Sequence, residues 1–238
     1  MSIETAALTD TGQERPHNED TVYTGTIDEG VLLAVADGMG GHQAGDVASE
    51  KAIETFVDYL ETRDTIDNAA DVLIQGVKTA NRHLHEMADQ NTELGGMGTT
   101  LVAAYLVEGT ATIVNVGDSR AYHVTSREIE KITKDQSLVQ ELVEQGSISP
   151  EEASEHPQKN VLSQALGTDE MVEPDTYSIT IRGTLLLCSD GLSDEVPEAE
   201  IKNGIMSTDS PSESAAVLVE RANQYDGSDN ISVVLGST

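Results

Sequence analysis

The apolar pattern of this chain predicts an α+β fold in which two antiparallel sheets pack together with helices outside them. Two observations carry this. Short runs rich in β-branched residues follow one another across turn residues, as hairpin-connected strands do. Helical periodicity comes in pairs between those groups, so helix and strand do not alternate one for one, and a doubly wound parallel sheet is disfavoured. The chain has 238 residues. At that size roughly 70–75% of the unfolded surface can be buried, so no disulfide or structural metal is needed to hold a core. No linker or repeat interrupts it, and a single domain over residues 1–238 is expected.

In chain order, residues 31–36 form a continuous apolar run, read as a buried strand that ends on Asp37, where Gly38-Met39-Gly40-Gly41 must turn. Residues 44–60 and 68–87 each place apolar side chains at helical spacing and predict two amphipathic helices. From Gly98 the period changes. Residues 99–107, 111–116 and 120–125, separated by Glu108-Gly109-Thr110 and Gly117-Asp118-Ser119, predict an antiparallel meander. Residues 137–145 are helical and stop at Gly146. The polar segment 146–167, with Pro150 and Pro157, predicts a short helix and loops outside the core. A second strand pair is expected at 176–181 and 185–189, around Arg182-Gly183-Thr184. Helices follow at 197–205 and 211–224, the latter with Ser210 as cap and Pro211 in its first turn. Residues 231–235 predict a closing strand.

Charge excludes whole classes of function. There are 43 acidic residues against 13 basic ones, a net charge of −30. Such a surface repels nucleic acid and anionic membranes. The acids are spread along the chain, which is not the pattern of a disordered tail. Concentrated salt screens repulsion beyond a few ångströms, so the composition predicts a protein suited to a salty cytoplasm, as in halophiles. On that reading the melting temperature rises by on the order of 10 °C from dilute buffer to molar potassium chloride; a flat or falling melt refutes it. Cys188 is the single cysteine and cannot form an internal bridge; its apolar neighbours predict a buried hydrophobe. The first twenty residues lack a basic and apolar leader pattern. The longest apolar runs fall far short of the ~20 residues that cross a bilayer. A cytoplasmic protein, without nucleic-acid or membrane partners, is expected.

Aspartates mark the strand boundaries. Runs 31–36, 111–117 and 184–189 lead into Asp37, Asp118 and Asp190; Asp229 precedes the last strand, and Glu19 and Asp20 precede another probable strand at 21–25. In antiparallel neighbours the end of one strand lies beside the start of the next, so these carboxylates can gather at one edge. A single Asp-Gly is more often a turn former than a ligand. Several carboxylates in one place repel, and divalent Mg²⁺ or Mn²⁺ with oxygen ligands offers the compensation.

Six segments occur in order: Arg15-Pro16-His17-Asn18-Glu19-Asp20, Ala36-Asp37-Gly38-Met39-Gly40-Gly41-His42, Gly98-Thr99-Thr100, Val116-Gly117-Asp118-Ser119-Arg120-Ala121, Cys188-Ser189-Asp190-Gly191-Leu192-Ser193-Asp194 and Ser228-Asp229-Asn230-Ile231-Ser232. Together they resemble the metal-dependent protein serine/threonine phosphatases of the PP2C type, in their prokaryotic single-domain form. The resemblance implies a four-layer α/β/β/α sandwich. It implies a binuclear Mg²⁺ or Mn²⁺ centre: Asp37 bridging both ions, the Gly38 carbonyl on one of them, Asp190 and Asp229 on the first, Glu19 and Asp20 at the second. Asp118 and Asp194 would help to hold a third, weaker ion. Arg15 would grip the substrate phosphate. A hydroxide between two metals would then attack phosphorus in line, with no covalent phosphoenzyme. Met39 stands where eukaryotic members carry the histidine assigned as general acid, and His42, three residues on, is the candidate replacement. The segment 146–167 matches the family's flap, which influences substrate choice.

The implied partners are phosphorylated proteins and a serine/threonine kinase, with a monomeric enzyme. Two other readings follow from the same residues: a non-catalytic phosphoprotein-binding pseudophosphatase, and a phosphatase dedicated to an anti-sigma-factor antagonist. The first predicts lost ligands, yet Asp37, Asp190 and Asp229 are all present. Gly96-Met97-Gly98 opens like a dinucleotide loop but lacks the third glycine, and His85-Glu86 fails the zinc-protease pattern at its final position.

Overall fold

The computed structural model describes residues 3–40, 44–63 and 65–238. One sheet contains β2 (Asp20–Ile27), β3 (Gly30–Met39), β5 (Leu101–Val107), β6 (Thr110–Val116) and β9 (Asp175–Thr180) in that order, with the short β4 (Gly98–Thr99) on the far end of β3. The other runs β1 (Glu4–Asp10), β11 (Ile231–Ser237), β10 (Thr184–Cys188), β7 (Arg120–Val124) and β8 (Ile129–Lys131). Every pairing is antiparallel.

Helices α1 (Ala44–Glu61) and α2 (Ala69–Gln90) cover the first sheet; α6 (Glu198–Met206) and α7 (Pro211–Tyr225) cover the second. Side chains alternate across each strand. In β3, Leu32, Ala34 and Ala36 meet α1 and α2, while Leu33 and Val35 enter the core between the sheets. In β10, Leu186 and Cys188 face the other helical pair, and Leu185 and Leu187 face inward. Burial on both faces is why these two strands read as continuous apolar runs. The result is the expected four-layer sandwich. Asn68 caps α2 and Ser210 caps α7, the latter with Pro211 at the helix start. Among the described residues no helix is long and apolar enough to cross a membrane.

Three expectations about the strands need correction, and one strand was not anticipated. The runs 99–107, 111–116 and 120–125 are not a meander: β5 and β6 form a hairpin, but β7 lies in the opposite sheet. Gly117, at φ +100°, turns the chain across the sandwich, a conformation that L side chains rarely adopt. The pair 176–181 and 185–189 splits in the same way, with β9 and β10 in different sheets and Gly183 at φ +111° between them. Spacing alone cannot tell such a corner from a hairpin turn. Strand β3 does not end on Asp37 but continues to Met39, because Gly38 and Met39 pair with β4. The segment 4–10, which carries no strong period, is the edge strand β1.

The polar segment after α3 (Leu138–Glu144) holds the short helix α4 (Pro150–Ser154), capped on both sides of its first turn by Ser149 and Glu152. Its far end is not outside the core as expected. Leu166 is fully buried and exchanges two backbone hydrogen bonds with Thr99. Asn81 of α2 accepts from the Gly167 amide at 2.8 Å and donates to the Asp169 carbonyl at 3.0 Å, fixing this end of the segment.

Candidate active site

The pairing of β2 with β3 sets Asp20 directly opposite Asp37. That register is the foundation of the site, because it holds two carboxylates on neighbouring strands. The Gly38 amide donates to the Glu19 carbonyl at 3.1 Å. A Cβ at Gly38 would come within 2.2 Å of the Gly45 carbonyl oxygen and 2.4 Å of that of Glu19, so only glycine lets the start of α1 approach.

The Gly98-Thr99-Thr100 segment clamps the backbone of Asp37. Its carbonyl accepts from Thr99 Oγ1 at 2.8 Å and from the Thr100 amide at 2.9 Å, and its amide donates to Thr100 Oγ1 at 3.0 Å. With the main chain satisfied, the carboxylate is free for chemistry. Asp118 sits in the turn after β6. Asp190 opens the one-turn helix α5 (Asp190–Ser193), following the cap position Ser189. Asp229 precedes β11, and its Oδ2 pairs with Arg15 Nη2 at 2.6 Å.

Asn230 ties the parts together. Its Nδ2 donates to the carbonyls of Thr11 and His17, each at 2.9 Å, and its Oδ1 accepts from the Glu19 amide at 2.8 Å. It therefore fixes the loop carrying Arg15 and Glu19 against the segment that carries Asp229 into β11. Asn230→Ala leaves three backbone groups unpaired, and a melting-temperature drop matching about 2–3 kcal/mol is the expected thermal-melt result.

Arg15, Glu19, Asp37, Asp118, Asp190 and Asp229 line one cleft of about 460 Å³. His17, Met39, Thr100 and Asn160 share its walls. The neighbours Glu19 and Asp20 do not point into the same space. Glu19 opens on the cleft. Asp20 is only 8% exposed and accepts from Ser189 Oγ at 2.9 Å, on the Asp190 side. Asp194 stands outside this cleft. Its Oδ2 pairs with Lys159 Nζ at 3.0 Å and its Oδ1 lies 3.6 Å from Arg120 Nη2. His42 lies outside the described residues.

The electrostatics are those of a cluster short of positive charge. Burial pushes Asp37 well above the usual carboxylate range, and Asp20, Asp190, Asp118 and Asp229 add to it. Asp37 keeps part of its surface open to the cleft, so the crowding of protein and charge around it, not loss of all access, is the cause. Burial raises Asp20 to about 7, Asp118 to about 8 and Asp190 to about 6, with neighbouring aspartates adding in each case. Burial also raises Glu19, against the pull of Arg15. Asp190 Oδ1 is buried with no hydrogen-bond donor. An orphaned acceptor and carboxyls that resist ionisation together are what divalent cations would relieve, and an all-oxygen donor set suits Mg²⁺ or Mn²⁺. Among the described residues no three acidic, His or Cys side chains close into a ready-made cage, as expected of ions that keep several waters.

Thr99, Thr100, Ser189, Asn230 and Arg120 have tasks that their places in the sequence segments do not disclose. Each acts through its neighbours. Arg120 is the clearest case: its guanidinium forks onto Asp135, with Nε at 3.1 Å from both oxygens and Nη2 at 2.8 Å from one. No local spacing links residue 120 to residue 135 before the fold is known.

The family model described as Protein phosphatase 2C matches residues 12–235. A curated relative, the serine/threonine phosphatase stp of Listeria welshimeri, is 43% identical over 95% of this chain and 92% of its own length. The serine/threonine protein phosphatase PstP of Mycobacterium tuberculosis is 40% identical over 97% of this chain, which spans 44% of that larger protein. Among solved structures, serine/threonine phosphatase Stp1 from Staphylococcus aureus superposes with a TM-score of 0.94 at 38% identity, covering 100% of this chain and 96% of that one. A catalytic domain of PstP in complex with two manganese ions gives 0.87 at 37% identity, covering 99% and 97%. The chain belongs to the protein phosphatase 2C family.

Proposed function

We propose that this chain hydrolyses phosphoserine and phosphothreonine on protein substrates at a binuclear Mg²⁺ or Mn²⁺ centre. The observation that carries the reading is the set of buried, mutually repelling carboxyls facing Arg15. Relatives described as serine/threonine phosphatases, and one solved with two manganese ions, support it.

Asp37 would bridge the ions, with Asp190 and Asp229 on the first and the Gly38 carbonyl on the second. Glu19, which lines the cleft, would help to hold the second. Asp20, expected there with Glu19, is assigned instead to the Asp190 side, where it takes the Ser189 hydroxyl. Bound ions supply Lewis acidity toward phosphoryl oxygens and lower the pKa of water. Arg15 exchanges Asp229 for the substrate phosphate, which its planar fork fits in two-pronged fashion. No side chain is needed as nucleophile. Cys188 is the only cysteine, fully buried, its thiol pushed by burial to about 12. Asp118 stays the candidate for a third ion; Asp194 reaches that role only by giving up Lys159.

His42 is the proposed proton donor to the leaving serine or threonine oxygen. His42→Ala lowers turnover of a phosphoserine peptide by about 10²-fold and leaves p-nitrophenyl phosphate, whose leaving group needs no proton, within severalfold of wild type. Equal losses on both substrates contradict the assignment. The net charge of −30 supports a protein without nucleic-acid or anionic-membrane partners. A cytoplasmic monomer acting opposite a serine/threonine kinase, with 146–167 as a flap, completes the reading. The test is hydrolysis of matched phosphothreonine and phosphotyrosine peptides in Mn²⁺. Preference for phosphothreonine, abolished by chelator, is expected; a folded sample that cleaves neither peptide defeats the reading.

A further inference from the structure

The turn that carries Asp118 is held from both sides by buried polar side chains. On one side stands Gln136, 8% exposed, just ahead of α3. Its Oε1 accepts from the Gly117 amide at 2.9 Å, and its own backbone amide donates to the Gly117 carbonyl at 2.9 Å. Both backbone groups of Gly117 therefore end on Gln136. Gln136 is fixed in turn: its Nε2 donates to Asp175 Oδ2 of β9 at 2.9 Å, and its carbonyl accepts from the Ser163 amide at 2.9 Å. On the other side Ser119, fully buried, shares a hydrogen bond of 2.7 Å with Thr100 Oγ1, the same atom that accepts the Asp37 amide.

Asn115 shows that this arrangement is not packing alone. It is fully buried on β6, opposite Asp175, and its Nδ2 donates to the carbonyls of Gly117 at 3.1 Å and Lys134 at 3.4 Å. Only the amide nitrogen can meet two carbonyls, so Oδ1 is left, among the described residues, without a donor. An orphaned buried acceptor lowers stability, and an apolar side chain in its place would not. The asparagine stands instead where it grips Gly117, and an unsatisfied group beside a site calls for such a reason.

We propose that Gln136 is a positioning residue that, with Asn115, sets Asp118 for the third, weaker ion. The inference rests on the phosphatase reading and on Asp118 as the candidate for that ion. The core pair depends on other supports. Asp37 is held by Thr99 and Thr100, and Asp229 by its place beside Asn230, whereas the hydrogen bonds of Gln136 go to Gly117, Asp175 and Ser163. An ion with few protein ligands depends on where each of them stands, and groups that orient a ligating carboxylate tune its affinity.

The test is calorimetric titration of Mn²⁺ into the chelator-stripped full chain. Wild type is expected to take up the core pair and then, at higher Mn²⁺, one further ion that Asp118→Asn does not bind. Gln136→Met, of similar length but without the amide, weakens the further ion by about tenfold or more and keeps the core pair within about threefold of wild type. Asp175→Ala, which acts through Gln136, weakens the further ion by about threefold or more. Asp175→Asn, whose amide oxygen still accepts from Nε2, restores wild-type affinity. Should Gln136→Met fail to fold, the two Asp175 variants carry the test. Unchanged affinity for the further ion in Gln136→Met and Asp175→Ala overturns the proposal. Equal weakening of the core pair and the further ion also overturns it, and leaves Gln136 a structural residue. A wild type that binds two ions and no third overturns it while the binuclear reading stands. A folded wild type that binds no ion overturns both.

Discussion

Asp37→Asn is expected to abolish phosphatase activity and to stabilise the metal-free protein. The two effects have one cause. Asp37 is the carboxyl on which burial and four neighbouring aspartates converge. Its charge is costly until cations arrive, and with them it becomes the bridge. Replacing it with a neutral amide of similar shape removes the repulsion and removes the bridge. Turnover of a phosphothreonine peptide falls by about 10²–10³-fold or more. The metal-free variant melts higher than metal-free wild type, by on the order of 5 °C. With saturating Mn²⁺ the order reverses, because wild type gains binding energy that the variant cannot. A variant that loses activity and also stability in chelator would place Asp37 among structural residues instead.

The second large effect is a pH dependence that metal erases. Burial and neighbouring aspartates raise Asp20 to about 7, Asp118 to about 8 and Asp190 to about 6 in the folded protein, above the ordinary carboxylate value of 3.8. Between those limits the folded state holds protons that the unfolded state has released. Stability therefore falls as pH rises through the window and is fully present below the unfolded value. Surface carboxylates have finished titrating by about pH 6, so the drop from about pH 6 to about pH 8 reports mainly the buried cluster. In chelator the melting temperature is expected to fall by about 5 °C or more over that range. With Mn²⁺ the fall shrinks or vanishes, since bound cations favour the ionised carboxylates. Asp37→Asn shows a shallower slope without metal. A metal-free melt that rises with pH over this range runs against the assigned shifts.

The fold's layers were legible because both central strands are buried on two faces and both outer helical pairs are amphipathic. Leu185-Leu186-Leu187-Cys188 and Val31–Ala36 announce themselves by composition alone. The partition of strands between sheets was not legible. Gly117 and Gly183 look like hairpin glycines, and only the pairing of their flanking strands in different sheets reveals corners. The edge strand β1 was invisible because it alternates weakly and owes its place to pairing with β11.

The site was more legible than the topology. Arg15, Glu19, Asp37, Asp118, Asp190 and Asp229 share one cleft, as the order of segments implied. The finer assignments were not readable. Glu19 lies just ahead of β2 and lines the cleft, whereas Asp20, its first residue, is buried against Ser189, and so the two neighbours part company. Asp194, at the far end of α5 from Asp190, is held by Arg120 and Lys159 outside the cleft, contacts that no local pattern encodes. Asn230 and Thr100 support the ligands through long-range hydrogen bonds, which no local pattern encodes.

The central claim is that the buried aspartates form a binuclear cation site whose carboxyls hold protons until metal binds. Titration calorimetry of Mn²⁺ into chelator-stripped protein near neutral pH, run in buffers of different ionisation enthalpy, tests it directly. Two ions bound per chain are expected, with net proton release that is reduced in Asp37→Asn. Absence of binding by a folded sample, or binding of two ions with no proton release, would contradict the claim.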